Sequence, residues 1–431
     1  MRDLLLGREP ADYDVSTDAT PNEVMRIFPE TFAVGAQFGV VLVPLKSLGM
    51  EPIVEPEGYG GSHPHAIEVA TFRSDGLYTD GRHPDSVRFS LDAEHDVQRR
   101  DFTINGLMMD PLDSDRVIDH VGGLADLKAK IIRTIGDASR RFGEDKLRML
   151  RAVRFSARFG YPIERATFAA MQRLAPEIRQ VSYERVRDEV TKMLTEGRAK
   201  QAFELLDTSG LLSEVMPEAV KMKGVQQPPQ YHPEGDVWVH TLLLLSMLEP
   251  HCSRTLAWGA LLHDIGKPPT FKVAPDRIRF DGHVEVGTRM AEEICHRLRF
   301  SNEDTEQVAA LVANHLKFAD VKKMKESTFK RFVRLPKFDE HLELHRIDCL
   351  GSHGILDLYH FTREKIANMP AEEVRPKPLL TGNDLIAAGY VPGPMFKEIL
   401  TAIEDAQLEG RLRDREGAMD FVRRSYPINA S

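Results

Sequence analysis

Two hydrophobic rhythms divide this chain. Up to about residue 130, apolar positions fall in short runs rich in β-branched residues and bounded by glycine-rich turns, which predicts strands. Tyr13-Asp14-Val15 reads as one short strand, Phe32 to Val43 as two strands broken at Gly35-Ala36-Gln37-Phe38-Gly39, and Ile67 to Phe72 as another. Thr20-Pro21-Asn22-Glu23 opens a helix between them, and Gly58, Gly60 and Gly61 mark a loop. Beyond about residue 135 the strand signal nearly vanishes. Lys146 to Phe159, Tyr183 to Leu194, Val239 to Leu248, Ala257 to Leu262 and Gly287 to Leu298 all carry apolar residues at helical spacing. Gln226-Gln227-Pro228-Pro229-Gln230 and Arg375-Pro376-Lys377-Pro378 read as linkers. The sequence has no internal repeat and no low-complexity tract. The expected fold class is α+β, a small mixed-sheet head followed by a long all-helical body.

Composition adds bounds. At 431 residues the chain is too long for one ordinary core, so about two to four domains are expected. A hydrophobic share of 42% and a charged share of 29% are ordinary for a globular protein. No apolar run approaches the roughly 20 residues that cross a bilayer, so no membrane partner is expected. Asp3, Arg8 and Glu9 stand where a signal region would need apolar residues, which predicts a cytoplasmic protein. Cys252, Cys295 and Cys349 are odd in number and lack zinc-site spacing, so reduced thiols are expected. The net charge of −9 argues against a phosphate-binding protein, yet Arg133, Arg140, Arg141, Lys146, Arg148, Arg151, Arg154 and Arg158 make one arginine-dense stretch. A polyanion meets local potential, so the balance permits nucleic-acid binding without requiring it.

Three constellations carry chemistry. In Asp12-Tyr13-Asp14 two carboxylates lie two residues apart, which on a strand turns both to one face. Adjacent carboxylates repel unless a cation sits between them, and magnesium prefers such hard oxygen ligands beside phosphate. Glu68, on the predicted strand Ile67 to Phe72, is a third acid for the set or a general base. A surface strand with scattered acids would read the same way, so this pair decides nothing alone. Arg99-Arg100-Asp101-Phe102-Thr103-Ile104-Asn105 offers guanidinium forks for phosphate and an amide for a sugar hydroxyl; equally, Asp101 could cap a helix. Glu144-Asp145-Lys146-Leu147-Arg148-Met149-Leu150-Arg151 puts Asp145 and Arg148 on one helical face, with Arg151 following. A carboxylate accepting from an exocyclic amine and a guanidinium donating to a ring nitrogen match the edge shared by cytosine and adenine. Guanine and uracil reverse both contacts, so such a site would select C and A without a template. An intrahelical salt bridge fits the same spacing.

Taken together, these residues resemble the class II CCA-adding enzymes and bacterial poly(A) polymerases over nearly the whole chain. Arg2-Asp3-Leu4-Leu5-Leu6-Gly7 with Asp12-Tyr13-Asp14 resembles their catalytic head motif, and Arg100 to Asn105 their sugar and triphosphate motif. Asp119-His120-Val121-Gly122-Gly123-Leu124 is similar to the hinge motif, Glu144 to Arg151 to the amino-acid template for the base, and Ser182-Tyr183-Glu184-Arg185 to the helix-stabilising motif. The resemblance implies CCA addition to a tRNA 3′ end from CTP and ATP by a two-metal mechanism. Asp12, Asp14 and Glu68 would be catalytic, with Mg2+ on Asp12 and Asp14. Arg2, Arg100, Asp101, Asn105, Asp145, Arg148 and Arg151 would bind nucleotide. It also implies a head over 1–135, a helical neck over 136–222, an HD-type body over 223–365 and a helical tail over 366–431. The segment from Asp80-Gly81-Arg82 to Val97 resembles the loop that switches from C to A addition, and its full length favours complete CCA addition.

One departure stands out. The family places a Gly-Gly turn just ahead of the residues matching Arg2-Asp3, and has valine where this chain has Met1. The expectation is a natural start farther upstream; a chain beginning at Met1 should bind triphosphate weakly and have a damaged head sheet.

A second centre is expected in the body. His240, His263-Asp264 and Asp348 match an HD phosphohydrolase pattern, with Gly266-Lys267-Pro268 following, and would hold Mg2+ or a divalent transition metal. His283 and His315 could extend the set to a second metal. Leu380 to Leu385 and Pro392-Gly393-Pro394 resemble the family's tail hairpin. Three rival readings remain: a poly(A) polymerase, an HD phosphohydrolase with an impaired head, and a non-catalytic RNA-binding protein, which would have no need of both acidic centres.

Overall fold

The computed structural model describes residues 1–10, 13–28, 30–32, 39–45, 66–76, 86–230, 232–275 and 277–427. Asp12, the break at Gly35 to Phe38, the glycines at 58, 60 and 61, and the first part of the expected switch loop, 80–85, lie outside the described residues.

The expected sheet forms from β1 (Val15–Thr17), β2 (Val40–Pro44) and β3 (Ala66–Thr71), in the order β1-β3-β2. β3 is the shared strand: β1 runs parallel to it in the register Val15↔Val69, and β2 antiparallel in the register Val41↔Val69. Alternation places Val41, Val43 and Val69 on one face, where Val24 closes a small core. Val24 comes from the helix Pro21–Ile27, which opens as its sequence predicts, with Thr20 and Glu23 completing a capping box and Pro21 in the first turn. The mixed-sheet expectation therefore holds, with two corrections. The first strand starts at Val15, not Tyr13, because its ladder with β3 runs from Val15 to Thr17. Phe32 makes only an isolated bridge, to Leu42, so the described part of the expected strand before the break is not a strand. Hairpins β4 (Arg73–Asp75) with β5 (Val87–Phe89), and β6 (Leu107–Asp110) with β7 (Arg116–Asp119), follow.

From Ala138 onward the regular elements among the described residues are helices, apart from the two-residue strands β8 (Lys272–Val273) and β9 (Ile278–Arg279). Leu147–Phe159, Tyr183–Thr195, Val237–Ser246, Arg254–Leu262 and His283–Arg297 are the helices that the apolar spacing predicts. One continuous core runs from Phe102, Ile104 and Leu107 through Leu150, Phe203 and Trp258 to Leu344 and Ile347. A separate core of Leu385, Tyr390, Ile399, Ile403 and Val422 serves the last three helices, Gly382–Ala387, Pro394–Leu408 and Arg415–Ser425. All three cysteines are free thiols; burial pushes Cys295 and Cys349 up to about 12 and Cys252 up to about 11. Among the described residues no helix is long and apolar enough to cross a membrane.

Candidate active site and metal centre

Strand register assembles the first site. Continued by one residue, the pairing Val15↔Val69 sets Asp14 beside Glu68, on the sheet's shared strand. Asp14 is exposed and lies in the segment just ahead of β1. Arg100 reaches the same strand, donating from Nη2 to Ser16 Oγ at 3.2 Å. Buried Asp96 steadies both neighbouring arginines, at 2.6 Å from Arg99 and 2.9 Å from Arg100. The sheet thus brings an acid pair and a guanidinium together at one end of β1.

Asp101 and Asn105 tie this end to the helices. Asp101 Oδ1 accepts from Phe102 N at 2.8 Å and Asn105 Nδ2 at 2.9 Å, while Oδ2 accepts from Arg151 Nε at 2.7 Å. Burial pushes the Asp101 carboxyl up, but the Arg151 charge and these bonds outweigh it and hold the group at about 2. The alternative that Asp101 caps a helix does not hold: the residue capping the turn Thr103–Asn105 is Phe102, with no side-chain cap bond. Asn105 Oδ1 in turn accepts from Arg2. The Arg2 guanidinium also grips Asp3 at 2.9 Å and lies 4.8 Å from the ring centres of both Phe155 and Phe159.

Asp145 and Arg148 do not share a helical face. The helix Ala138–Glu144 ends at Asp145, whose φ of −145° and ψ of 107° are extended, and a new helix begins at Leu147. Helical spacing in the sequence runs through this break because the two helices follow each other directly. No intrahelical salt bridge forms between the two groups. Asp145 is instead held by both terminal nitrogens of Arg185, at 2.8 and 3.2 Å. Arg148 donates to Glu144 at 2.9 Å and to the carbonyls of Arg141 at 3.0 Å and Arg99 at 2.9 Å. Arg185 was expected only to stabilise its helix; the structure gives it a direct hold on Asp145. Arg151 stands between Asp101 and Glu189, whose charges raise it above its ordinary range despite burial.

The second constellation sits deep in the helical body. His240 lies on the helix Val237–Ser246, His263 and Asp264 follow the helix Arg254–Leu262, and Asp348 lies on Phe338–Gly351. His240, His263 and Asp264 are at most 2% exposed. His240 Nε2 is 3.1 Å from Asp348 Oδ1 and 3.3 Å from His263 Nε2, and His263 Nε2 is 3.1 Å from Asp264 Oδ2. The four expected residues do converge. Burial pulls His240 down, but its bonds to Asp348 and Glu234 raise it to about 9, while the neighbouring cations hold Asp264 well below the carboxylate range against its burial.

Sequence reasoning missed the roof of this centre. The stretch taken for a linker buries Gln227 to 3% exposure, and Gln227 Oε1 accepts from Lys267 Nζ at 2.6 Å. Farther along, Glu234 Oε1 lies 2.7 Å from His240 Nδ1 and 2.9 Å from His232 Nδ1. The signal was available: His232 and Glu234 lie within eight residues of His240. Prolines and glutamines drew attention to the backbone instead.

Comparison with known proteins sets these sites in context. Residues 1–133 match the family model described as "Poly A polymerase head domain". Residues 160–222 match "Probable RNA and SrmB- binding site of polymerase A", and residues 237–348 match "HD domain". A CCA-adding enzyme of Oceanobacillus iheyensis is 41% identical over 206 residues, 48% of this chain and 47% of that protein. The chain thus spans about half the length of such relatives in these alignments. Others align more fully. The CCA-adding enzyme of Leuconostoc mesenteroides is 29% identical over 99% of this chain and 90% of its own. The A-adding tRNA nucleotidyltransferase of Deinococcus radiodurans is 31% identical over 79% and 81%. Among solved structures, the Bacillus stearothermophilus CCA-adding enzyme in complex with CTP superimposes with a TM-score of 0.70 at 26% identity, covering 98% of this chain and 92% of that one.

Proposed function

This chain belongs to the tRNA nucleotidyltransferase family, which includes CCA-adding and A-adding enzymes, and from that premise we propose that it adds C and A to tRNA 3′ ends from CTP and ATP. The RNA 3′ hydroxyl attacks the α-phosphorus of the nucleotide; a new O–P bond forms, the hydroxyl proton passes to solvent water, the α–β bridge breaks and pyrophosphate leaves. Asp12, Asp14 and Glu68 would hold divalent cations, Mg2+ by this reading, which supply an activated hydroxyl and charge neutralisation for the leaving group. The donor set fits, being carboxylate throughout. Arg2 and Arg100 neutralise the triphosphate, and Asn105, fixed at both ends of its amide by Arg2 and Asp101, orients the sugar. Asp145 and Arg148 read the base, and Arg151 holds its phosphates. The grip of Arg185 suits this role, because a carboxylate has about four acceptor sites and the bidentate pair leaves some outward. A cytoplasmic location goes with such a substrate.

The observation that carries this reading is the β1–β3 register from Val15↔Val69, which if continued by one residue would pair Asp14 with Glu68, together with the bond of Arg100 to Ser16. The test is a gel of product lengths on tRNAs ending before, within and after CCA, each nucleotide supplied separately and together. CCA addition predicts C only on the shortest ends, A only after CC, and no extension past CCA. Unlimited A addition would identify a poly(A) polymerase, and no incorporation at all would refute the proposal.

The body supports a second activity. The convergence of His240, His263, Asp264 and Asp348 favours a divalent metal centre that hydrolyses phosphoesters. Its donors are imidazoles and carboxylates, which suit a transition ion or magnesium. Water adds to phosphorus, the ester P–O bond breaks, and the alcohol leaves with a proton. RNA ending in a cyclic phosphate and small phosphomonoesters are the substrates to test, against Asp264→Ala as the blank.

A further inference from the structure

We propose that Gln227 recognises phosphate in the body's centre, its amide N–H groups donating to a non-bridging oxygen of the ester beside the ammonium of Lys267. The inference rests on the phosphoester reading above and names the side chain that would receive the substrate's anion.

Gln227 is 3% exposed, and its amide meets Lys267 in one sense only. An ammonium donates and never accepts, so the atom 2.6 Å from Lys267 Nζ is the carbonyl oxygen, and Nε2 lies on the other side of the amide carbon. That nitrogen is buried and has no hydrogen-bond partner among the described residues. Two N–H donors shut off from water and left unpaired are unfavourable until an acceptor arrives. The Asp264 carboxylate is not that acceptor; its Oδ2 faces Lys267 Nζ at 2.7 Å and His263 Nε2 at 3.1 Å. A ligand must bring one.

Charge says what kind of ligand. Lys267 is 7% exposed, and its Nζ lies 5.4 Å from the ring centre of Phe280. The ammonium has three donors, of which Gln227 and Asp264 engage two. Burial leaves its pull on an anion poorly screened. A buried cation and a buried amide donor thus meet next to His263 and Asp264, whose imidazole and carboxylate suit a divalent ion. A group with several acceptor oxygens, negative charge and no proton to give fits that place, and a phosphoryl group is such a group.

The backbone sets the donor in position beforehand. Gly224 N donates to Asp236 Oδ2 at 2.6 Å, Val237 N to the carbonyl of Val225 at 3.0 Å, and His232 N to that of Pro228 at 3.0 Å. Gln227 is therefore presented from a loop tied across its ends, ahead of two prolines, and not from a free linker.

The test uses the full-length chain, with Asp12→Ala/Asp14→Ala as the parent so that the sheet site adds no metal. Inorganic phosphate is the probe, and broadening of its phosphorus NMR signal by Mn2+ reports phosphate lying beside the body's ion. Gln227→Glu is the decisive variant: its carboxylate still accepts from Lys267, which keeps the roof, but sets an acceptor where Nε2 donated. Gln227→Leu removes the donors without adding charge. Mn2+ per chain and circular dichroism are recorded for each. A parent that broadens phosphate to saturation, with both variants binding it at least about tenfold more weakly at unchanged Mn2+ content, would support the proposal. A Gln227→Glu chain that binds phosphate as the parent does would overturn it and reduce Gln227 to a structural tie. A parent that holds Mn2+ yet leaves phosphate sharp would also overturn it, with the metal centre left standing. A parent that holds no Mn2+ would sink both.

Discussion

Asp101 is where the sheet end and the helices meet, and its chemistry can be read from acid. Its folded carboxyl titrates at about 2, against an unperturbed value near 4. The stabilisation is therefore fully present above about pH 4 and is lost as pH falls through 2, a contribution on the order of 2 kcal/mol. Chemical denaturation of wild type and Asp101→Asn should show their stability difference shrinking by that amount between pH 5 and pH 2. A difference that stays flat would contradict the Arg151 pairing. Exposed Asp14 behaves in the opposite manner: Asp14→Ala should abolish nucleotide incorporation and leave the melting temperature within a degree or two. Glu234 is a positioning residue, since it engages His240 Nδ1 on the side away from Asp348. Glu234→Gln should weaken metal binding by about 10- to 100-fold without abolishing it, as a titration with Mn2+ would report.

At the scale of elements, glycine decides how closely the metal-bearing helices approach. A Cβ on Gly266 would stand 2.1 Å from the carbonyl of His283 and 2.5 Å from the nitrogen of Gly287, both backbone atoms that cannot swing aside. Gly266→Ala should therefore push the helix His283–Arg297 outward, costing at least about 1–3 kcal/mol in thermal unfolding and lowering Mn2+ occupancy. The same element shows how far sequence reasoning reached. The helices were legible because each buries one apolar stripe, and period is a local property. The strand Ala66–Thr71 was legible for the same reason. The break at Asp145 was hidden, because adjoining helices keep a common apolar spacing while the backbone between them turns extended. Likewise, the partners of Asp145 and Arg148 came from Arg185, 40 residues away, and the carbonyl of Arg99, 49 residues away. No local pattern encodes contacts set by packing. Gln227 and Glu234 were hidden for a different reason, since a turn-rich composition looks alike whether the loop roofs a site or spans solvent.

Over the whole molecule, the last three helices are attached differently from the rest. They have their own core and meet the helix Glu326–Val333 and its end largely through charges: Arg331 with Glu404 at 2.7 Å and with Asp405, and Arg334 with Glu404 at 2.6 Å. Half-exposed pairs of this kind contribute little each and weaken in salt. Glu404→Ala should lower global stability by less than about 1 kcal/mol, yet speed proteolytic nicking near Arg375 and Lys377 severalfold. High salt should do the same to the wild type, and unchanged cleavage in both would refute an ionic attachment.

The undivided interior from Phe102 to Ile347 has an evolutionary corollary. Helices bearing the imidazoles also wall the apolar space against which the nucleotide-handling half stands. A lineage that no longer needed hydrolysis could shed the ligating side chains one at a time, whereas deleting their helices would strip that space open to water. Descendants should thus retain a chemically silent scaffold, intact in shape long after its ligands have gone.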